Sequence, residues 1–172
     1  MATGRSTQLA GQVGEYLVAA QLCRHDLIAA TFSGNVEHFD ILASNSNGIA
    51  LAVQVKTIRT GDWQLNASRF LDIEQRRAKQ FVRGLTKEPH PGLICVFVRL
   101  GNEYGSDEFY VLTWRKVQTI IARGYRAYLK QHGAVRPRNP DSRHTSLTPG
   151  DLLPYRDAWS AITKYRRRAV MR

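Results

Sequence analysis

The sequence predicts an α/β domain in which a mixed central sheet is flanked by helices. Helical patterns and short strand-like patterns alternate along its 172 residues, which is the order expected of layered α/β folds. The run from Leu93 to Leu100 is apolar and rich in β-branched residues, as in a central strand covered on both faces. An apolar fraction of 43% is typical of one globular domain with its own core.

The first part of the chain predicts a helix followed by a hairpin. Ser6 or Thr7 is expected to cap a helix that runs to about Arg24, because apolar residues recur on one of its faces. Two strands are then expected, over 37–43 and 49–58. The stretch SNSNG between them has strong turn chemistry.

The middle of the chain predicts a short strand or irregular segment over 63–66 and then a second helix. Asp72 is expected to cap this basic helix, over 73–83, and Gly84 to end it. The central strand at 93–100 follows two prolines.

The last part begins with a strand over 109–112. Thr113 is then expected to cap a helix that continues to about Gln131 and is closed by Gly133. The stretch 134–154 is rich in proline, arginine and small polar residues and is interpreted as a long loop. A final helix is expected over 155–168.

Positive charge is concentrated toward the C-terminus of a chain whose net charge is +11. Fourteen basic residues follow position 114, against three acidic ones. We therefore divide a single domain into a core, 1–133, and a basic segment, 134–172, packed on that core or extending it. Such a charge favours a polyanionic partner, above all nucleic acid. A basic surface that only keeps the protein in solution is the alternative.

Cysteine usage and hydropathy indicate where the protein works. Cys23 and Cys95 lie far apart and show no ligand spacing, so reduced thiols are expected rather than a disulfide framework or a zinc site. Glu15 interrupts the one apolar run near the N-terminus, so no secretory signal is expected. No segment is apolar over the length that a membrane span needs. We expect a cytoplasmic protein.

The predicted hairpin carries three polar residues inside its strands. If Gly48 ends a three-residue loop in the left-handed conformation, Asp40 lies directly opposite Gln54. Lys56, two residues after Gln54, then points to the same face. A two-residue loop would instead bring Asp40 opposite Val55.

An acid, an amide and an amine on one face suit metal-dependent hydrolysis. Oxygen ligands favour a hard ion such as Mg²⁺, and an ammonium beside it can activate water or offset negative charge in the transition state. The alternative is a structural ion pair between Asp40 and Lys56. Glu15 favours a catalytic site over a structural ion pair, because it is a second acid among small and apolar helix neighbours.

The segments GQVGEYLVAAQL, FDIL and LAVQVKT together resemble the PD-(D/E)XK nuclease superfamily, including archaeal Holliday-junction resolvases and Mrr-type restriction nucleases. The resemblance covers about residues 8–58 with motifs. It implies a restriction-endonuclease-like core with the order α-β-β-β-α-β.

By this resemblance, Glu15, Asp40, Gln54 and Lys56 are the catalytic residues. Asp40, Glu15, Gln54 and the carbonyl of Val55 would bind Mg²⁺ or Mn²⁺, and Lys56 would be the catalytic lysine. Gln54 stands where the superfamily usually has an acid. A neutral amide is a weaker ligand, so either metal affinity falls or the fold has been kept for binding alone.

Further basic residues are candidates for contacting DNA. They are Arg76, Arg77, Lys79, Arg166, Arg167 and Arg168. An ordinary solvated helix face is the alternative for the first three, and a nonspecific basic tail is the interpretation of the last three. His38 is two residues from Asp40 and is the one histidine that merits a test.

The sequence thus predicts a metal-dependent DNA endonuclease. The alternatives are a catalytically inactive nucleic-acid-binding module on the same fold, and a structural subunit whose basic face meets an acidic protein. Because nucleases that cut both strands often act as dimers, a homodimer is also considered.

Overall fold

The computed structural model describes residues 4–32, 36–103 and 105–163. The helices and strands, numbered in chain order, are α1 (Gly4–Arg24), β1 (Ile28–Thr31), β2 (Ile41–Ser44), β3 (Ala50–Ile58), β4 (Trp63–Asn66), β5 (Leu71–Arg76), β6 (Lys79–Leu85), β7 (Ile94–Arg99), β8 (Glu108–Thr113), α2 (Trp114–Gln131), β9 (His144–Leu147) and α3 (Pro149–Leu152). Short 3₁₀ turns cover Ala67–Arg69, Leu153–Tyr155 and Trp159–Ile162.

A five-stranded mixed sheet forms the centre of the fold, in the order β1-β2-β3-β7-β8. β3 and β7 are parallel, and the other neighbouring strands are antiparallel. β4 pairs with β9 and β5 pairs with β6 outside this sheet. The expected α/β class with a mixed sheet between helices is confirmed.

The two faces of the sheet bury two separate apolar cores. Val53 and Val55 of β3 contribute to the core under α1. Ala52, the residue before Val53, belongs to the core shared with Trp63 and α2. Because side chains alternate along a strand, Gln54 and Lys56 lie on the α2 side of the sheet.

Several local predictions are confirmed. β4 and α2 have the expected positions, and Thr113 caps α2 by accepting a hydrogen bond from the backbone N–H of Lys116 at 3.4 Å. Gly133 follows α2 with a φ of +61°. α1 begins at Gly4, so Ser6 and Thr7 lie inside the helix rather than at its cap.

The expected helix over 73–83 is wrong. This stretch belongs to the antiparallel hairpin β5–β6, in which Arg76 pairs with Lys79. The basic residues favour a helix locally, but pairing and burial of alternate side chains such as Leu71 and Gln80 override that preference. The α-β-β-β-α-β order therefore has a hairpin where its second helix was expected, and α2 covers that face after β8.

The C-terminal predictions also need correction. The stretch 134–154 is not one long loop, because it contains β9, which pairs with β4, and α3. The expected helix over 155–168 is replaced up to residue 163 by 3₁₀ turns, and its remainder lies outside the described residues. β1 was not predicted. The domain boundary at residue 133 stays a prediction.

Candidate active site

The β2–β3 hairpin has the register that a three-residue loop dictates. Gly48 has a φ of +76°, and its N–H donates to the Asn45 carbonyl at 3.0 Å. The Asn45 N–H donates to the Ile49 carbonyl at 3.2 Å. Along the strands, Ile41 pairs with Val53, so the preceding Asp40 lies opposite Gln54, as predicted.

Asp40 is held at the start of β2 by two hydrogen bonds to β3. Its N–H donates to the Val53 carbonyl at 2.9 Å, and its Oδ2 accepts from the Val55 N–H at 2.7 Å. Within the described residues, no group donates to Oδ1. The carboxylate is therefore fixed in place with one oxygen still available to a ligand.

Gln54 is a buried amide, about 5% exposed, at the centre of the sheet. Its Nε2 donates to the backbone carbonyl of His38 at 3.3 Å, while no described residue donates to its Oε1. His38 adopts a left-handed φ of +79° and thus contributes its main chain to the site. The amide nitrogen is held by the protein, and the amide oxygen remains available.

Lys56 lies two residues further along the same face and is half-buried. In the described part of the chain, no ion pair joins its ammonium to Asp40, so the interpretation of these residues as a structural salt bridge is not supported. Lys56 and Gln54 instead line a cavity of about 170 Å³ together with Gln64, Asn66 and Arg69.

Glu15 reaches the site from α1. Burial raises the pKa of the Glu15 carboxyl above its ordinary value, the negative charge of Asp40 raises it further, and the positive charge of Lys56 lowers it. These influences place the second acid within electrostatic reach of both hairpin residues.

A close approach between α1 and β3 positions Glu15. A Cβ added to Gly14 would lie 1.9 Å from the Thr57 Oγ1, so only glycine lets the helix come this near to the strand. Gly14 is the residue before Glu15, so the contact fixes how far the helix backbone at Glu15 lies from β3.

The donor set fits a hard divalent cation. Glu15 and Asp40 supply carboxylates and Gln54 supplies an amide oxygen, and Mg²⁺ in proteins commonly takes one or two carboxylates and keeps several waters. The negative charge of Asp40 raises the pKa of Glu15, and a cation near both carboxylates would offset that repulsion. No group of three or more His, Cys, Asp or Glu residues that would hold a metal occurs in the described part of the chain, which agrees with glutamine at the third position. Val55 contacts Asp40 through its N–H, and its carbonyl as a ligand stays a prediction.

The predicted DNA-contacting residues are not part of the cavity. Arg76, Arg77 and Lys79 are exposed at the tip of the β5–β6 hairpin, where Arg76 forms an ion pair with Glu74 at 2.5 Å. Residues 166–168 lie outside the described residues.

Sequence reasoning missed Arg69 and Lys87. Arg69 lines the active-site cavity and also a neighbouring cavity of about 550 Å³, which His38 and Lys87 line as well. No spacing pattern signals these two residues. They flank the β5–β6 hairpin, and a helix in its place would not bring them together in the same way. They place two cations beside the site, in a cavity that Glu37 and Glu88 also line.

No described helix combines the length and the apolar character that crossing a bilayer requires.

Comparisons with known proteins returned two structures of interest. No protein-family model matches the chain, and no curated protein matches it. The bacterial homing endonuclease I-Ssp6803I is 18% identical with a TM-score of 0.49, covering 92% of this chain and 94% of that one. Hjc, a Holliday junction resolvase from the archaeal hyperthermophile Archaeoglobus fulgidus, is 15% identical with a TM-score of 0.36, covering 62% and 78%. The chemistry assigned to this chain therefore rests on its own residues.

Proposed function

We propose that this chain is a metal-dependent DNA endonuclease of the PD-(D/E)XK superfamily, which hydrolyses phosphodiester bonds. One observation carries the proposal: Asp40, Gln54 and Lys56 share a face of one hairpin without neutralising each other. Gln54 and Lys56 line a cavity there, and Asp40 precedes the Ile41–Val53 pair and so lies opposite Gln54.

Each residue has a role that its surroundings support. Asp40 Oδ1, Gln54 Oε1 and the Glu15 carboxylate would hold Mg²⁺ or Mn²⁺, with the Val55 carbonyl as a further ligand. The metal, when bound, would polarise the scissile phosphate and lower the pKa of a bound water. Lys56 would orient the attacking water and offset negative charge at phosphorus. Arg69 and Lys87 would hold flanking phosphates.

A comparison of two buried glutamines supports a ligand role for Gln54. Gln80 uses both ends of its amide, since its Oε1 accepts from the Tyr125 hydroxyl and its Nε2 donates to the carbonyls of Pro140 and Ser142. Gln54 makes one hydrogen bond, through its nitrogen, at 3.3 Å. Gln54 lines the cavity, so its oxygen is placed where a metal ion could bind it.

An inactive nucleic-acid-binding module is the second candidate. Gln54 favours it, because an amide in place of an acid weakens metal binding. The charge of +11 suits both candidates. Among the described residues, Lys56 forms no ion pair, which favours the nuclease. In a site that has lost its activity, an ion pair between the remaining charges would avoid leaving one of them uncompensated.

A cleavage assay separates the candidates. Plasmid and branched DNA are incubated with Mg²⁺ or Mn²⁺ and with wild type, Asp40→Asn or Lys56→Met. We expect each variant to lose at least about a hundredfold in rate, the scale seen when one electrostatic group is removed from a site. Asp72→Asn, the matched loss of an exposed carboxylate on β5, should stay within about twofold.

Gln54→Leu extends the same assay to the unusual position. It removes the amide oxygen at similar size, and we expect metal-dependent cleavage to be lost while DNA binding persists. Equal nicking by wild type, Asp40→Asn and Lys56→Met would refute the site. DNA binding that weakens steeply with salt, without any cleavage, would establish the binding module instead.

A further inference from the structure

The stretch 134–143 is fixed to the rest of the protein although its composition suggests a tether. Gln80, about 1% exposed, donates to the carbonyls of Pro140 and Ser142, and its backbone N–H donates to the Ala134 carbonyl at 2.8 Å. Gln75 donates to Asp141 Oδ1 at 2.5 Å. These hydrogen bonds hold both ends of the stretch on the β5–β6 hairpin.

Arg136, within this stretch, is oriented by aromatic rings of α2. Its guanidinium lies 4.8 Å from the ring centroid of Tyr128 and 5.4 Å from that of Tyr125. Tyr128 in turn stacks on His132, with centroids 4.2 Å apart. Because Arg136 is pre-oriented, less side-chain entropy is lost when it binds a ligand.

Two neighbouring cavities open around Arg136. Their volumes are about 550 Å³ and about 320 Å³, and both are lined by Tyr128, Arg136 and His144. Arg138, which is exposed, lines the larger one. Among the described residues that line them, none is a carboxylate. The site is therefore a concave, positively charged surface that suits an anion.

The β4–β9 ribbon connects this surface to the active-site cavity. Asn66 and Gln64 of β4 line the active-site cavity. Their direct partners on β9 are His144 and Ser146, which line the smaller of the two cavities around Arg136. Opposed residues on paired strands are about 5 Å apart, so a chain of phosphates leaving the first cavity can reach the second.

We propose that Arg136 and Arg138 form a second phosphate-binding site that holds the DNA backbone beside the segment bound in the active site. The choice of DNA rests on the proposed function. The chemistry of the site is independent of cleavage, because guanidinium groups bind phosphate oxygens in pairs without a metal. The aromatic rings serve to hold Arg136, so the site reads the backbone rather than the bases.

Binding of fluorescently labelled duplex DNA, measured by anisotropy in EDTA over a range of KCl concentrations, tests the proposal. We expect Arg136→Ala and Arg138→Ala each to weaken binding about tenfold and to reduce the slope of log affinity against log salt by about one. Arg123→Ala removes the same charge from an exposed position on α2 outside both cavities. It should weaken binding by less than about twofold, which sets the nonspecific baseline.

If Arg136→Ala does not fold, Arg138→Ala alone tests the phosphate-binding site, because the described ring contacts of Tyr125 and Tyr128 do not involve Arg138. Equal weakening by Arg138→Ala and Arg123→Ala overturns the proposal. So does unchanged DNA binding combined with lost binding of polyglutamate, which would assign the surface to an acidic protein.

Measurement in EDTA keeps this test separate from the proposed nuclease activity, because no divalent metal is then free to support cleavage. If wild type does not cleave DNA but Arg138→Ala still binds DNA more weakly, the second phosphate-binding site is supported and the nuclease activity is refuted. If cleavage requires Asp40 but Arg136→Ala and Arg138→Ala bind DNA as tightly as Arg123→Ala does, only the second phosphate-binding site is refuted.

Discussion

Two tight hairpins of this protein, β2–β3 and β5–β6, reach the same topology by opposite routes. β2 and β3 are joined by Ser46-Asn47-Gly48, with glycine at the residue whose φ is +76°. β5 and β6 are joined by Arg77-Ala78, and it is Arg77 that takes a left-handed φ of +55°. The first turn has glycine at its left-handed position, whereas the second places a bulky residue in a conformation that favours glycine.

Contacts from elsewhere in the chain impose the second hairpin. Gln118 of α2 is buried, and its Nε2 donates to the carbonyls of Phe70 and Thr86, the residues that flank the hairpin, at 2.9 and 2.8 Å. Gln80 ties the other end to the stretch 134–143 and to Tyr125. A hairpin without turn chemistry therefore depends on buried anchors from distant parts of the chain.

The largest effect is expected at Gln80. Gln80→Leu leaves the Pro140 carbonyl without its donor and leaves the Tyr125 hydroxyl with only the Ser142 carbonyl, at 3.4 Å, as acceptor. A buried polar group without a good partner costs about 1–3 kcal/mol. We expect the free energy of unfolding to fall by about 3 kcal/mol and the melting temperature to fall by roughly 6–12 °C.

Circular dichroism melting measures this loss. Gln131→Leu, at an exposed position on α2, serves as the control and should change the free energy of unfolding by less than about 0.5 kcal/mol. Equal stability of both variants would show that the second hairpin does not depend on its anchor.

A smaller effect is expected where α1 holds the first hairpin. Gly14→Ala places a methyl group 1.9 Å from the Thr57 Oγ1, so α1 must move away from β3. We expect a loss of about 2 kcal/mol and lower cleavage activity, because Glu15 moves with the helix.

Gly11→Ala is the matched control on the same helix, since its added Cβ meets nothing within 4 Å. It should stabilise the protein by about 0.5–1 kcal/mol through helix propensity. Chemical denaturation measures the free energy of unfolding of Gly14→Ala and Gly11→Ala. A loss of stability in Gly11→Ala would contradict the explanation by close packing of Gly14 against Thr57.

The smallest effects are expected at the two turns and have opposite signs. Gly48→Ala forces a Cβ into a left-handed conformation and should cost about 1 kcal/mol. Arg77→Gly relieves the same strain and should gain about 0.5 kcal/mol after the extra entropy of an unfolded glycine is subtracted. Urea unfolding curves measure both, and a loss of stability in Arg77→Gly would mean that its side chain is needed for the turn.

Local chemistry determined what the sequence alone predicts correctly. Asn47 and Gly48 set the loop length, and the loop length sets the register that brings Asp40 opposite Gln54. Thr113 marks the start of α2 because a hydroxyl caps free N–H groups wherever a helix begins. Such signals lie within a few residues of the structure that they specify.

The remaining features depend on contacts between residues far apart in the sequence. Gln80 and Gln118 hold the β5–β6 hairpin and the stretch 134–143 through partners that lie 32 to 62 residues away, and β9 pairs with β4 from a distant part of the chain. The availability of the Gln54 oxygen and the absence of a described ion pair between Asp40 and Lys56 are also spatial facts. Residue types and spacing name the candidates for a site, but the distances between side chains decide whether their charges are neutralised or left available for chemistry.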